Sequence, residues 1–334
     1  MTSPPRVTVV IVNYNTSSDT VAWVQSVQSG TAGDVEVVVV DNGSSDDSVA
    51  ALAERTDAIV VEAGENLGFA RGVNRGVSVA RGEWILLLNP DAIVEEGTVD
   101  AIVGFASVHP EFGMYGGRTL TPAGGTDPSS CWGEMTLWSL FCFATGLSTA
   151  FKRSRLFDPE SLGRWERDSV REVPVITGCL LLMSRANWDR LGGMDERYFL
   201  YGEDAEFSRR ARRAGLRPVI VPDARMIHMV GGSTSSSGSK MCMVMAGKAT
   251  VLRHTWTPHL ASIGIGLLQL GAWTRRILEI AAGRGRAATW GTVWSGRRAW
   301  RAGYPEAHQH LFGARADRTT AVGAPEGAPA SDGR

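Results

Sequence analysis

The feature that most restricts the fold is a repeated transition, in which an unbroken apolar run stops abruptly at asparagine or aspartate. It occurs three times in the first hundred residues. "VTVVIV" (7–12) leads into Asn13, Tyr14 and Asn15, "VEVVVV" (35–40) into Asp41 and Asn42, and "WILLL" (84–88) into Asn89, Pro90 and Asp91. Apolar runs without polar alternation belong to strands covered on both faces, as in parallel sheets. Helical spacing fills the intervals. Val21, Val24 and Val27 follow the cap formers Ser17, Ser18 and Asp19, and "SSDDSVAALAER" carries acids in its first turn. A weaker strand at 58–63 precedes a third helix face marked by Ala70, Val73, Val77 and Ala80. The order predicts an α/β fold, a mostly parallel sheet flanked by helices. Ligands of such sheets sit beyond the carboxyl ends of the strands. One polar tip is ordinary turn chemistry, whereas three at one sheet edge indicate a site. There "WILLL" delivers the Asp91 carboxylate, and Pro90 stiffens the turn that aims it.

Composition removes other classes. With 334 residues, 43% hydrophobic and 21% charged, the chain suits a soluble globular enzyme, and a net charge of −1 gives no reason to expect a nucleic-acid partner. Cys131, Cys142, Cys179 and Cys242 match neither a zinc spacing nor a disulfide framework, so reduced, buried thiols of a cytosolic protein are expected. "MTSPPRVTVVIVNYN" has no basic flank and no small-residue cleavage site, unlike a signal peptide. The first βα turn, "VNYNTSS", lacks Gly-x-Gly-x-x-Gly, which argues against a dinucleotide-dependent oxidoreductase.

The rest is less regular. Residues 105–172 hold "CWGEMTLWSLFCF" and "FKRSRLFDPESLGRWERD", readable as a helical flap, an acceptor groove or plain core. "VITGCLLLM" (175–183) is a buried strand, Glu203-Asp204 open a basic helix that stops at Gly215, and "RPVIVP" and "ARMIHMV" are short strands before the polar loop "GGSTSSSGS". Residues 256–306 contain five tryptophans and seven arginines against two glutamates. The uncharged "ASIGIGLLQLGAW" is 13 residues, short of the roughly 20 that span a bilayer. Either these helices lie in a headgroup layer or they pack on the domain as an amphipathic pair. The tail beyond 314 is expected to be disordered.

As an ordered set, "VIVNYN", "VVVVDNGSSDDS", "ENLGFARGVNRG", "LLLNPDA", "GCLLLMSR", "GMDERYFLYGEDAEFSRRARRAG" and "HMVGGS" resemble family 2 glycosyltransferases of the GT-A fold. The similarity is greatest to the bacterial rhamnosyltransferases and galactofuranosyltransferases of cell-wall and surface polysaccharide synthesis, and it covers roughly residues 6–235. It implies a Rossmann-like nucleotide-sugar half (6–104) fused to an acceptor half (105–255) within one 1–255 domain, then the basic, Trp-rich helical region (256–313) and the tail (314–334).

The resemblance also implies roles. Tyr14 would stack on the pyrimidine of a dTDP- or UDP-sugar beside Val12 and Asn15, and Asp41 would accept the base N3–H. Asn66, Gly68 and Asn74 would line the ribose and diphosphate pocket. Asn89 and Asp91 stand where relatives have Asp-x-Asp, leaving Asp91 as the carboxylate on Mn²⁺ or Mg²⁺ and His228 as a second ligand. Asp204 would be the catalytic base, with Glu203 beside it. The chemistry agrees with these assignments: a divalent cation neutralises the departing diphosphate, imidazole tilts the choice towards Mn²⁺, and a poor hydroxyl nucleophile needs a carboxylate to take its proton. Phe199 and Tyr201 around Asp204 suggest a desolvated acid of raised pKa. One displacement inverts the anomeric centre. The implied acceptor is a glycan or a polyprenyl-linked glycan, and the implied location is cytoplasmic, peripheral at the inner face of the cell membrane. Asn89 in place of the first acid keeps open a non-catalytic glycan-binding scaffold of the same fold. Relatives often have arginine at the position of Val73; here Arg71 lies two residues earlier.

Overall fold

The computed structural model describes residues 6–228, 237–285 and 288–311. Its strands are β1 (Val7–Asn13), β2 (Val35–Asp41), β3 (Ile59–Glu62), β4 (Trp84–Leu88), β5 (Ala92–Val94), β6 (Tyr115–Leu120), β7 (Cys131–Trp132), β8 (Arg171–Glu172), β9 (Val175–Ile176), β10 (Leu180–Ser184) and β11 (Val219–His228). Nine of them form one mixed sheet in the order β3-β2-β1-β4-β10-β6-β11-β5, with β8 on β11. The first four are parallel, as the buried apolar runs require. Register aligns the tips: Asn13 lies opposite Asp41, and Ile11 opposite Leu88. β10 then runs antiparallel to β4, with Leu180 opposite Leu88, so the start of β10 meets the same edge. β5 pairs antiparallel with β11, His228 opposite Ala92, which sets His228 next to the residue that follows Asp91.

Helices cover both faces. Val24 and Val27 of α1 (Ser17–Ser29), Leu52 of α2 (Ser48–Arg55) and Ile102 of α4 (Thr98–Val108) pack on one core with Val9, Val39 and Leu86. α3 (Phe69–Val79) places Val73 and Val77 in the opposite core, with Trp188 of α7 (Arg185–Leu191) and Phe207 of α8 (Glu203–Arg213). Gly76 allows α3 to sit this close, since a Cβ there would lie 2.5 Å from Val10 Cγ1. A third core joins α5 (Leu137–Thr145) to α9 (Ser237–Thr255), α10 (Pro258–Ala281), α11 (Thr289–Ser295) and α12 (Arg297–Trp300). α6 (Leu147–Ala150) follows α5.

Several elements differ from the sequence expectation. The 175–183 run is two strands parted by Thr177, Gly178 and Cys179, because the Gly178 amide donates to Asp204 instead of to a neighbouring strand. "RPVIVP" and "ARMIHMV" are one strand, β11, with an irregularity between Val221 and Arg225. Part of the aromatic 131–143 stretch is helix α5, started by a capping box between Thr136 and Ser139. Of the five tryptophans after 255, Trp300 is fully buried, Trp256, Trp290 and Trp294 pack against the third core, and Trp273 is exposed. The expected polar loop falls largely, and the tail wholly, outside the described residues.

One close approach fixes the entry to α8. Gly202 has φ +98°, and an added Cβ would lie 2.9 Å from the Gly247 carbonyl oxygen; a Cβ on Gly247 would lie 2.1 Å from the Tyr201 oxygen. The backbones of α9 and of the turn carrying Glu203-Asp204 therefore touch directly. Gly247→Ala should cost about 1–3 kcal/mol, read as a lower urea midpoint; an unchanged midpoint would contradict this packing.

Candidate active site

A cavity of about 1900 Å³ opens at the edge where β1 and β4 end. On one side it is lined by Val12, Tyr14, Asn42, Asn66 and Gly68, and on the other by Asn89, Asp91, Gly178, Asp204 and His228. Tyr14 is 38% exposed, so its ring is available to a ligand. Asn42 organises the first wall. Its Nδ2 donates to Asn66 Oδ1 (3.0 Å) and to the Gly68 carbonyl (3.3 Å), while its Oδ1 accepts from the Leu67 amide (3.0 Å). Gly68 has φ +82° and sits where a Cβ would lie 2.4 Å from the Phe199 oxygen, so this loop presses on the segment leading to Asp204. The sequence marks Asn42 as a strand tip but gives it no role in the pocket.

Three assigned positions do not line the cavity. Asp41 is 4% exposed, its Oδ1 accepting from Asn13 Nδ2 and its Oδ2 from the Ser44 amide, both at 3.0 Å. Asn15, at φ 55°, accepts from the Ser45 amide at 2.8 Å. Asn74 clamps Met194 through both backbone groups (2.9 Å each) and donates to Glu196 at 3.1 Å. The polar atoms of these side chains are engaged by adjoining loops. Arg71 pairs with Glu196 at 3.7 Å and is not part of the lining.

The opposite wall holds a chain of three groups. His228 Nε2 lies 3.1 Å from Asp91 Oδ2, and His228 Nδ1 lies 2.9 Å from Asp127 Oδ2. Asp127, which the sequence does not single out, is 9% exposed, and its Oδ1 accepts from the Ser129 amide at 2.9 Å. Hydrogen bonds accepted by Asp127, then by Asp91, push the His228 pKa up to about 9. Among the described residues Asp91 Oδ1 is buried without a partner, an arrangement that is costly unless a ligand completes it. A carboxylate oxygen beside an imidazole nitrogen suits Mn²⁺ or Mg²⁺. Among the described residues no group of three or more His, Cys, Asp or Glu forms a complete metal site, so oxygens of a ligand or water would supply the remaining positions. Asn89 donates through Nδ2 to Cys179 Sγ at 3.1 Å.

Thr177, Gly178 and Cys179 bind the two chemical ends of the cavity together. The Gly178 amide donates to Asp204 Oδ1 at 3.0 Å, and the Cys179 carbonyl accepts from the Asn89 amide at 3.3 Å. Burial pushes the Cys179 thiol up to about 12, and the negative charges of Asp204, Asp91 and Asp127 add to the shift. Asp204 and Glu203 both have raised pKa values, chiefly through burial; for Glu203 the neighbouring Asp204 charge adds. Glu203 is 3% exposed and its Oε2 has no partner among the described residues, whereas Asp204 is half-buried. Farther along, the cavity is lined by Met135, Phe143, Val251 and Trp256. Lys248 also lines it, 2.6 Å from Glu160, as do Arg209 and Arg212, at 2.9 and 3.0 Å from Glu134.

The family model described as glycosyl transferase family 2 matches residues 8–157, and one described as the N-terminal domain of galactosyltransferase matches 168–231. An N-acetylglucosaminyl-diphospho-decaprenol L-rhamnosyltransferase of Mycobacterium tuberculosis is 30% identical over 245 residues, 68% of this chain and 76% of its own length. Two solved structures share the fold. A mannosyltransferase from Pyrobaculum calidifontis, in complex with GDP-Man and Mn²⁺, has TM-score 0.52 and 19% identity, covering 95% of this chain and 88% of that one. GalNAc-T7 with UDP, GalNAc and Mn²⁺ has TM-score 0.57 and 16% identity, covering 96% and 55%.

The buried acids set a pH dependence. Their folded-state pKa values lie above the unfolded ones, so near neutrality the native chain holds more protons than the unfolded chain. Their contribution to stability is complete in acid, below the ordinary carboxylate range, and is lost as pH rises through the shifted values. Glu203→Gln, which cannot ionise, should match the wild-type melting temperature in acid, exceed it increasingly as pH rises from the ordinary carboxylate range to about 8, and level off beyond. A constant difference from acid to alkaline pH would contradict this.

Proposed function

Since the chain belongs to glycosyl transferase family 2 and is a glycosyltransferase, we propose that it moves rhamnose from dTDP-rhamnose to a hydroxyl of a lipid-linked glycan, with inversion at the anomeric carbon. The observation that carries this reading is the meeting of Asp91 and His228 with Asp204 across Gly178 and Cys179, in one cavity whose other wall presents Tyr14, Asn42 and Asn66.

In this reading Tyr14 stacks on the pyrimidine against Val12, and Asn42 and Asn66 face the ribose. Asp41, with Asn13 and Ser44 on its oxygens, shapes that wall from behind. Asp91 Oδ1 and His228 Nε2 would hold a divalent cation. When bound, that cation supplies positive charge opposite the departing diphosphate. Asp127 holds a proton on His228 Nδ1, so a cation bound at Nε2 would displace only the proton shared with Asp91, the usual partnership of a metal-binding histidine with a carboxylate. Asp204, anchored through Oδ1 by the Gly178 amide, offers Oδ2 to the acceptor hydroxyl and takes its proton as the new glycosidic bond forms. Glu203, deep behind it and kept neutral by burial, spares Asp204 a second adjacent negative charge.

Three features support a lipid-linked acceptor. The far end of the cavity is apolar, Lys248, Arg209 and Arg212 stand along it as cationic partners for phosphate, and the Mycobacterium tuberculosis relative is named for a diphospho-decaprenol acceptor. No described helix is long and apolar enough to cross a membrane. We therefore place the enzyme peripherally at the cytoplasmic face of the membrane.

Asp204→Asn should lower the transfer rate by about 10²–10⁴-fold with donor affinity nearly unchanged in calorimetry; near-wild-type turnover would remove Asp204 as the base. Asp127→Asn should weaken Mn²⁺ binding by about 10–100-fold, measured by paramagnetic resonance titration in the presence of nucleoside diphosphate. Wild-type metal affinity in that variant would show that Asp127 does not position His228.

A further inference from the structure

α10 is 24 residues long and two-faced in an unusual way. Its inner face, including Gly264, Leu268, Gly271 and Arg275, packs against α5 and α9. Gly264 lies where a Cβ would meet Leu140 and Leu252 at 3.1 Å, and Gly271 where it would meet Phe143 at 2.3 Å. The outer face should then be polar, as on an ordinary surface helix. Instead Leu260, Ile263, Leu270, Trp273, Ile277 and Ile280 are each at least 40% exposed, and their spacing places them on one stripe. From Leu260 to Thr274 the helix carries no charged residue.

A second apolar surface adjoins the first. α5, whose inner side meets α10, exposes Leu137, Trp138 and Phe141, and Phe151 follows. The rings form a connected ridge, with Trp138 stacked on Phe141 (5.6 Å) and Phe157 reaching both Trp138 (6.4 Å) and Phe151 (5.0 Å). Of the eighteen exposed large hydrophobic residues among those described, twelve lie on α10 or between 137 and 156. Isolated exposed apolar side chains need no explanation, but a concentration of this kind marks a contact surface.

Charge identifies what covers it. Beyond Phe151 the chain builds a cleft of about 690 Å³ from Arg153, Arg155, Arg164, Arg171, Trp165 and Ser169. Arg153 is paired with Glu166 at 2.7 Å, and Arg171 stacks 4.8 Å over Trp165. Glu166 pairs with this cluster and Asp158 Oδ2 accepts the Arg153 amide, while Asp168 lies in the same loop and Glu172 is paired with Arg217. Arginines flanking exposed tryptophan and phenylalanine suit a layer in which phosphates overlie hydrocarbon. The inner side of α5 also supplies Phe143 to the cavity, so the ridge lies on the outside of the acceptor wall.

We propose that the outer stripe of α10, the Trp138–Phe141–Phe151 ridge and the arginine cleft together form a docking face for an anionic lipid bilayer. α10 lies flat in the interface instead of crossing it, with the arginines on lipid phosphates. This deepens the lipid-linked acceptor reading by specifying the surface that brings the cavity to the membrane. It also moves membrane contact away from the C-terminal tryptophans, most of which are packed inside, to the aliphatic stripe.

The test is vesicle flotation of the full-length chain, with neutral phosphatidylcholine vesicles and with vesicles that also contain phosphatidylglycerol. Wild-type protein should float with the anionic vesicles. Leu270→Glu combined with Ile277→Glu should reduce that binding at least about tenfold, and Arg155→Glu combined with Arg164→Glu should abolish the preference for phosphatidylglycerol. Mn²⁺ and donor binding, measured alongside, should be unchanged in both variants. Flotation needs neither donor nor acceptor, so its outcome is independent of which sugar is transferred. Failure of the wild-type chain to float, wild-type flotation of the Leu270/Ile277 variant, or a wild-type dimer in sedimentation that this variant converts to monomer would each overturn the proposal.

Discussion

The site depends on one hydrogen bond at a place where a strand is interrupted, from the Gly178 amide to Asp204 Oδ1. Had 175–183 formed one continuous strand, that amide would belong to the sheet; in the interrupted backbone a Cβ at 178 would lie 2.8 Å from the Phe69 ring, so glycine is what fits there. The gap releases the amide, and the carboxylate accepts it. The next residue, Cys179, ties the same segment to Asn89 through its carbonyl and its sulfur. Asp204 at the start of α8 and the Asn89–Asp91 turn after β4 are thereby joined through two consecutive residues.

Strand direction explains why these groups meet at all. β4 runs towards the edge and β10 away from it, so the end of one and the start of the other coincide at Leu88 and Leu180. The β5–β11 pairing acts in the same way for Asp91 and His228. The price is electrostatic, because three carboxyl groups lie within influence of the half-buried Cys179 thiol, and Asp91 Oδ1 and Glu203 Oε2 have no partners among the described residues. Buried acids of this kind weaken a fold unless a ligand or a cation answers them. A structure that keeps several unanswered groups in one place is arranged for binding.

The parallel half of the sheet was legible in the sequence because β1, β2 and β4 are buried along nearly their whole length and say so by composition, whereas the edge strand β3 is exposed or half-buried throughout. The strand tips located the edge, and Val12, Tyr14, Asn66, Gly68, Asn89, Asp91, Glu203, Asp204 and His228 all reach the cavity. Asp41, Asn15 and Asn74 do not, since a polar side chain at a strand end or on a helix can turn to its own loop as readily as to a ligand. Asp127 could not be seen: it lies 101 residues from His228 in sequence, within a turn rich in ordinary turn formers. The C-terminal helices stayed open to two readings for a related reason. Their tryptophan and arginine content is plain, but composition does not say which face they occupy, and Arg275 is in fact buried with its guanidinium 3.9 Å over the Phe143 ring.

That one cavity brings a cation-bound diphosphate to Asp204 is tested most directly by a crystal structure with Mn²⁺ and dTDP-rhamnose, using anomalous scattering to locate the metal. The predicted result is a manganese peak in contact with Asp91 and His228, the nucleotide on the Tyr14 wall, and the anomeric carbon open to a hydroxyl held by Asp204. A peak away from Asp91, or a nucleotide bound on the opposite side of the sheet from Asp204, would contradict it.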